Sequence, residues 1–221
     1  RRLRWQLWDY YVPNVFHILL GQADYRTRKA AGKNYGFGAQ LTRQDAVGDG
    51  GNADSSKAYI ETGSGTWILS GKAGILRDQW QVWINYTRIA AESRFLLPRE
   101  WGRDPFYTFL PRERNEGLGD VHALMAQWNY GKEQATNRFF VAAGYYLLPD
   151  ANDAALNKYG MPSYVQVNLE YRRHFSGTFE GLDLQALVVH KFNQGELFGK
   201  EAYRFNKTDM SNLNLVLTYS F

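Results

Sequence analysis

The chain has 221 residues, 44% of them hydrophobic and 16% aromatic, with 26 Lys and Arg against 22 Asp and Glu for a net charge of +4. A length of this order fits one domain. The small, scattered basic excess does not imply nucleic acid as a partner, and the absence of cysteine removes disulfides, thiol chemistry and Cys-type zinc sites together.

The longest nearly unbroken apolar run, Phe139 to Leu148, is ten residues, half of the ~20 that a membrane-crossing helix needs. A mean hydropathy of −0.49 fits a soluble protein; it fits equally a barrel whose strands hide their apolar half by alternation. The 15 Tyr, 13 Phe and 7 Trp favour the second reading, because amphipathic rings collect where one end of a side chain is apolar and the other wet, as at the two faces of a bilayer.

In chain order, period-2 alternation dominates. "RRLRWQLWDYY" lacks the apolar core of a signal peptide and already alternates at Leu3, Trp5 and Leu7, so the expectation is a chain that begins inside a strand and is N-terminally incomplete. After "VPN" a second strand runs from about Val15 to Arg26. "YGFGAQLTRQ" sets Tyr35, Phe37, Ala39 and Leu41 against Gly36, Gly38, Gln40 and Thr42. "WILSGKA" and "WQVWINYT" offer Trp67 and Leu69, then Val82 and Ile84, to one side, with Ser70, Lys72, Asn85 and Thr87 opposed. Stretches 120–130, 138–147, 164–173, 182–192 and 212–221 complete a set of ten strands. In the 164–173 stretch, Val165, Val167, Leu169 and Tyr171 belong in lipid, since a one-residue slip would push Glu170 and Arg172 outward; Arg at mid-bilayer costs about 2–4 kcal/mol. Phe139 to Tyr146 offers no such contrast, and its faces stay open. Only "DANDAALNK", from Asp150 to Lys158, has helical possibilities, for one loop turn or two.

Connections alternate long and short, with "VPN" the one exception. Long loops on one side and short turns on the other are the pattern of bacterial outer-membrane barrels. In the closing "SNLNLVLTYSF", Leu213, Leu215, Leu217, Tyr219 and Phe221 share one face. That ending resembles the C-terminal signal of outer-membrane barrels, which implies recognition by the barrel assembly machinery through the Phe221 strand.

"LWDYYVPNVFHILLGQADY" and "NYTRIAAESRFLLPREWGRDPFYTFLPRERNEGLGDVHAL" resemble the later half of OprD-type substrate-selective porins. "QADY" at Gln22 to Tyr25 and "GRDPFYT" at Gly102 to Thr108 carry most of the similarity, which runs through essentially the whole chain, and "FLPRERNEG" is similar to the branch found in Bacteroidetes-type bacteria. The resemblance implies an all-β, antiparallel up-and-down transmembrane β-barrel, with residues 1–221 as its single domain. The resemblance further implies that the ten or so strands are the C-terminal part of an eighteen-stranded barrel, although ten strands could also close by themselves.

Alternation places Arg2, Arg4, Gln22, Asp24, Gln40, Lys72, Asn85, Gln166, Asn168, Glu170, Arg172 and Lys191 toward the lumen as pore-lining residues. The resemblance implies a basic ladder among them with an acidic patch nearby; the alternative is that lumen charges pair off across strands. The loop from Arg88 to Gly119 is too long and aromatic to wave in solvent. Its Arg94, Arg99, Arg103, Tyr107, Arg112 and Arg114 form a candidate constriction where guanidinium groups hold carboxylates. In the alternative, its Arg and Glu residues neutralise one another and hold the loop shut.

Three fragments look chemical. Asp120 and His122 have the spacing of an Asp-supported His base, with a structural hydrogen bond as the plainer role; His174 and Ser176 are spaced alike but fall on a short turn. "GDGGNAD" lacks the spaced ligands of an EF-hand and reads as a flexible loop tip. Gly36, Gly38, Gly71 and Gly74 lie in strands, where they would relieve crowding at bends.

The expectation is therefore a porin in the outer membrane of a Gram-negative bacterium, not an enzyme, with no cofactor and no metal. It would pass small, carboxylate-bearing or anionic solutes by facilitated diffusion through an Arg/Lys-lined pore, in contact with outer-membrane lipid, lipopolysaccharide and other outer-membrane proteins. The alternatives are a ten-stranded barrel hydrolase and a plugged surface adhesion or assembly barrel.

Overall fold

A computed structural model describes residues 2–221, apart from the side chain of Arg99. Ten strands follow one another: β1 (Leu3–Val12), β2 (Phe16–Arg26), β3 (Lys33–Ala46), β4 (Gly65–Arg77), β5 (Trp80–Ile89), β6 (Val121–Tyr130), β7 (Asn137–Leu147), β8 (Tyr164–His174), β9 (Leu182–Asn193) and β10 (Met210–Tyr219). Each pairs with its sequence neighbours in one sheet of order β1 to β10, antiparallel throughout. Neighbouring strands joined by a tight turn can pair only antiparallel, and period-2 alternation gives each strand one apolar and one polar face.

The curved sheet puts the expected oily residues outside. Trp5, Leu7, Leu41, Leu69, Ile84, Leu124, Leu169, Leu213, Leu215 and Leu217 are exposed on the convex side. The face of β7 is decided by its register: Phe139, Val141, Ala143 and Tyr145 stand opposite Tyr171, Leu169, Val167 and Val165 and point outward, while Tyr146 points inward and is fully buried.

Loops 47–64, 90–120, 148–163 and 194–209, with the 13–15 turn, leave one end of the sheet. Turns 27–32, 78–79, 131–136 and 175–181 leave the other. The 150–158 stretch forms tight turns rather than a helix, one closed by the Asn157 N–H on the Asp153 carbonyl at 2.7 Å; the Asp150 and Asp153 side chains take nearby N–H groups instead. Ladder pairing of β10 stops at Tyr219, and Phe221 lies beyond it, fully exposed, although the Ser220 N–H still reaches the Gly181 carbonyl.

The concave face is not empty. Loop 90–120 folds back into it and forms a second layer. Phe95, Leu96, Phe106 and Leu118 from this loop pack on Phe16, Ile18, Ile68, Ile89, Val121, Tyr146 and Tyr164 from the strands. Loop 148–163 closes the top: Phe95, Leu118 and Asn157 form a small ladder between the two loops.

Candidate functional site

The site is the polar concave face and the loop that crosses it. From Pro105 to Arg112 the loop steps across the sheet nearly strand by strand. Gln40 Nε2 on β3 donates to the Pro105 carbonyl at 2.7 Å. The Tyr107 N–H donates to Ser70 Oγ on β4, and the Tyr107 hydroxyl to Asp24 Oδ1 on β2. Thr108 Oγ1 donates to Thr87 Oγ1 on β5, and the Tyr146 hydroxyl on β7 to the Thr108 carbonyl. Leu110 sits on Met125 and Ala142. Gln166 and Asn168 on β8 both donate to the Pro111 carbonyl, and Arg112 reaches Asn214 on β10. Further up, Gln44 makes a two-way amide pair with the backbone of Leu96. Every anchor named here apart from Asp24 and Arg112 is neutral, so these contacts themselves take little charge out of water.

This arrangement divides the expected pore-lining set. Gln40, Asn85, Gln166, Asn168 and Lys191 face inward but are buried under the loop. Gln40, Gln166 and Asn168 hold its carbonyl groups rather than line an open passage. Arg2, Arg4, Gln22, Asp24 and Lys72 line a hollow of ≈450 Å³ on the short-turn side. Glu170 and Arg172 line a second, of ≈470 Å³, with Gln81, Gln127 and Arg138. Trp83 borders both.

At the first hollow Lys72 Nζ lies 2.7 Å from Asp24 Oδ1, 4.0 Å above the Tyr107 ring and 5.3 Å above that of Trp83. Burial and the neighbouring Asp24 raise the Tyr107 hydroxyl above the ordinary tyrosine range, so it stays a donor. At the second, Arg172 pairs with Glu170, whose other oxygen accepts from Gln185. Two pairs thus form within the wall, Lys72–Asp24 between β4 and β2 and Arg172–Glu170 along β8, and neither joins adjacent strands.

The loop arginines do not follow that pattern. Arg94 donates to the Ala154 carbonyl, Arg103 lies over Phe109, Arg112 reaches Asn214 and Arg114 covers Tyr159. Among the described residues none of these four has a carboxylate oxygen within 4.0 Å, so mutual Arg–Glu neutralisation is not what holds the loop. The remaining member of the expected set, Arg99, has its side chain outside the described residues.

Of the four strand glycines expected to relieve crowding, Gly36, Gly38 and Gly74 make room for inward side chains, while a Cβ on Gly71 would meet nothing closer than 3.8 Å. A Cβ on Gly36 or Gly74 would come within 2.4 Å or 2.5 Å of the Trp83 ring; one on Gly38 would lie 2.6 Å from the Tyr107 hydroxyl. Ser70, Thr87 and Trp83 fall on the expected inward face, but nothing local marks Ser70 and Thr87 as loop contacts or Trp83 as the ring beside Lys72. An inward Trp in a polar row was the one signal available.

The catalytic-looking fragments separate. Asp120 pairs with Arg88 at 2.6 Å, while His122 Nδ1 faces the Tyr86 hydroxyl at 2.7 Å on the convex side, so the two form no dyad. His174 meets Asp183 at 2.9 Å on the short-turn side. In "GDGGNAD", Asp54 caps a short turn through the Ser56 N–H and pairs with Lys57.

No family model and no curated relative matches the sequence. The fold matches solved outer-membrane channels. It superposes on OccAB2 of Acinetobacter baumannii with a TM-score of 0.75 at 12% identity, covering 100% of this chain and 51% of that one. For the outer-membrane protein OprD of Pseudomonas aeruginosa the TM-score is 0.74 at 14% identity, with 99% and 55% covered. For Pseudomonas aeruginosa OpdK, solved with vanillate, it is 0.70 at 13%, with 99% and 52% covered. This chain therefore has the fold of part of an OprD-type barrel, and it spans about half the length of the porins it matches.

Proposed function

We propose that this chain is part of the wall of an OprD-type porin in a Gram-negative outer membrane, and that it passes small carboxylate-bearing or other anionic solutes by facilitated diffusion. Strands of 10 to 14 residues suit tilted membrane-spanning strands. The convex middle band carries apolar residues, and outward charges such as Arg43, Asp45 and Arg88 sit at the long-loop rim. Aromatic side chains flank the band, with Trp67, Tyr86 and Phe192 toward the long loops and Trp128, Tyr130, Phe139 and Tyr219 toward the short turns; such rings favour bilayer interfaces. Outer-membrane lipid and lipopolysaccharide would contact this surface, and assembly machinery the β10 strand.

The observation that carries the solute class is the set of loop guanidinium groups, Arg94, Arg103, Arg112 and Arg114, that touch carbonyl, amide and aromatic groups but no carboxylate. A guanidinium with no carboxylate already within ion-pair distance can hold a passing one through paired N–H groups, weakly enough in a wet passage to let it go. The loop narrows the route, and Arg2, Arg4 and Lys72 continue the positive field toward the short turns. No bond is made or broken.

The test is conductance of the protein purified from its native membrane and reconstituted in a planar bilayer. Anion preference in a salt gradient, with carboxylates slowing chloride current more than size-matched amines or neutral sugars do, is the expected result. Cation preference, or no conductance at all, would overturn the proposal and favour a plugged barrel.

A further inference from the structure

Glu113 is a buried acid left without a partner in the crossing loop. Its side chain sits in the crossing loop, 6% exposed, and neither carboxylate oxygen has a hydrogen-bond partner. It lies between two hollows, one of ≈200 Å³ shared with Asp104, Arg103, Arg114 and Glu116, the other of ≈380 Å³ shared with Lys191 and Lys207. A buried carboxylate left ionised and unpaired is costly, whereas its protonated form is not.

The charges around it come from every side. Within the loop are Asp104, Arg112, Arg114 and Glu116; β9 contributes Lys191, and the neighbouring loops Lys207 and Tyr159. Tyr146 on β7 and Tyr164 on β8 are the buried hydroxyls that feel it. Lys191 favours the ionised form, yet its Nζ sits over the Tyr164 ring at 4.3 Å and no Glu113 oxygen is within ion-pair distance among the described residues. Burial first, then the Asp104 carboxylate, outweigh Lys191 and hold the Glu113 acid well above the usual carboxylate range. Asp104 is itself pushed up to about 6 by burial, against the 2.8 Å hydrogen bond it accepts from the Asn115 N–H.

We propose that Glu113 is a protonation-controlled key for the crossing loop: neutral, it lets the loop seat against β7, β8 and β9; ionised, it drives that segment out of the concavity. The geometry allows such a movement. The seat is otherwise held by neutral hydrogen bonds, the packing of Leu110 and two contacts to charged groups, Tyr107–Asp24 and Arg112–Asn214, and Gly102 at φ 110° and Gly117 at φ 84° bracket the segment. The sign is fixed by linkage: an acid whose value is raised in the seated state favours that state at low pH and opposes it as pH rises through the raised value. The inference concerns the position of the loop and does not depend on what the barrel transports.

The experiment is a distance measurement in the native protein in lipid vesicles. Nitroxide labels go on Arg103→Cys in the loop and Asn129→Cys in β6, with any cysteine elsewhere in the native protein replaced by serine. The expected result is one short distance at low pH and a growing longer-distance population as pH rises, moving from about a tenth to nine tenths over about two pH units, the width of a single titration. Glu113→Gln should keep the short distance at every pH. Asp104→Asn, which leaves Glu113 in place and removes the repelling charge, should shift the transition to lower pH; it keeps the proposal testable if the Gln variant does not assemble. One distance at all pH values in the unaltered loop would mean that Lys191 absorbs the charge in place and would overturn the proposal, as would a Glu113→Gln protein that moves like its parent.

Discussion

The two ends of the concave face are built from the same strands and the same alternation, yet they are different materials. Toward the long loops the inward positions are Phe16, Ile18, Ile68, Ile89, Val121, Tyr146 and Tyr164, sealed by the loop's Phe95, Phe106 and Leu118. Toward the short turns the inward positions are Gln22, Asp24, Lys72, Gln81, Gln127, Arg138, Glu170 and Arg172, and they border open hollows. One end resembles the core of a soluble protein, the other a wetted wall. A loop can be held inside a barrel only where enough apolar area is removed from water to offset its lost freedom, and a passage needs the opposite.

The sharpest way to break the contrast is at the apolar end. Phe95→Ala empties a site that is 1% exposed and should cost about 3–5 kcal/mol. Expected readouts are a lower melting temperature in detergent and rapid proteolytic cutting within 90–120. The matching change at the wet end, Gln127→Ala, should alter stability by no more than about 0.5 kcal/mol.

Next comes Gln44→Leu, which keeps volume but removes both partners of the Leu96 backbone. An unmet buried amide costs about 1–3 kcal/mol, and urea unfolding should register a loss in that range, with hydrogen exchange at Leu96 accelerated. Gly38→Val probes the border between the ends. Its Cβ would meet Tyr107, Lys72 and Asp24, an overpacking cost of about 1–3 kcal/mol, and Tyr107 should lose its contact with Asp24, detectable as a change in near-ultraviolet circular dichroism. Lys72→Met should have the smallest effect on stability, below about 1 kcal/mol for a part-exposed pair. Its signature should be functional: a reversal potential moved toward cations in the reconstituted channel.

Much of the wall was legible because a strand has the simplest of periods. The ten strands, the outward row from Leu213 to Tyr219 and the outward face of β8 follow from alternation and from the cost of charge in lipid. The faces of β7 did not, since "FFVAAGYY" is apolar on both sides; only its pairing with β8, where Tyr171 and Leu169 point outward, settles it. The helical turn expected at 150–158 gave way to side-chain capping by Asp150 and Asp153.

At the site, the sequence could assign an inward direction to Gln40, Asn85, Gln166, Asn168 and Lys191 but not their surroundings. Whether an inward amide meets water or a loop carbonyl depends on the course of residues 90–120, and those contacts join positions 21 to 102 residues apart, such as Thr108 with Thr87 and Arg112 with Asn214. Likewise Arg-rich and Glu-rich text did not reveal that the loop arginines would turn to rings and carbonyls while Glu113 went under without a partner.

By itself the sequence determined the curved antiparallel wall, its two faces and the side on which the long loops lie, because nearest-neighbour pairing and a period of two residues act over short range. Only the tertiary structure decided which polar residues hold the loop, which line the hollows and which acid is buried. Those outcomes depend on how one long loop fills a concavity whose shape no local stretch of sequence encodes.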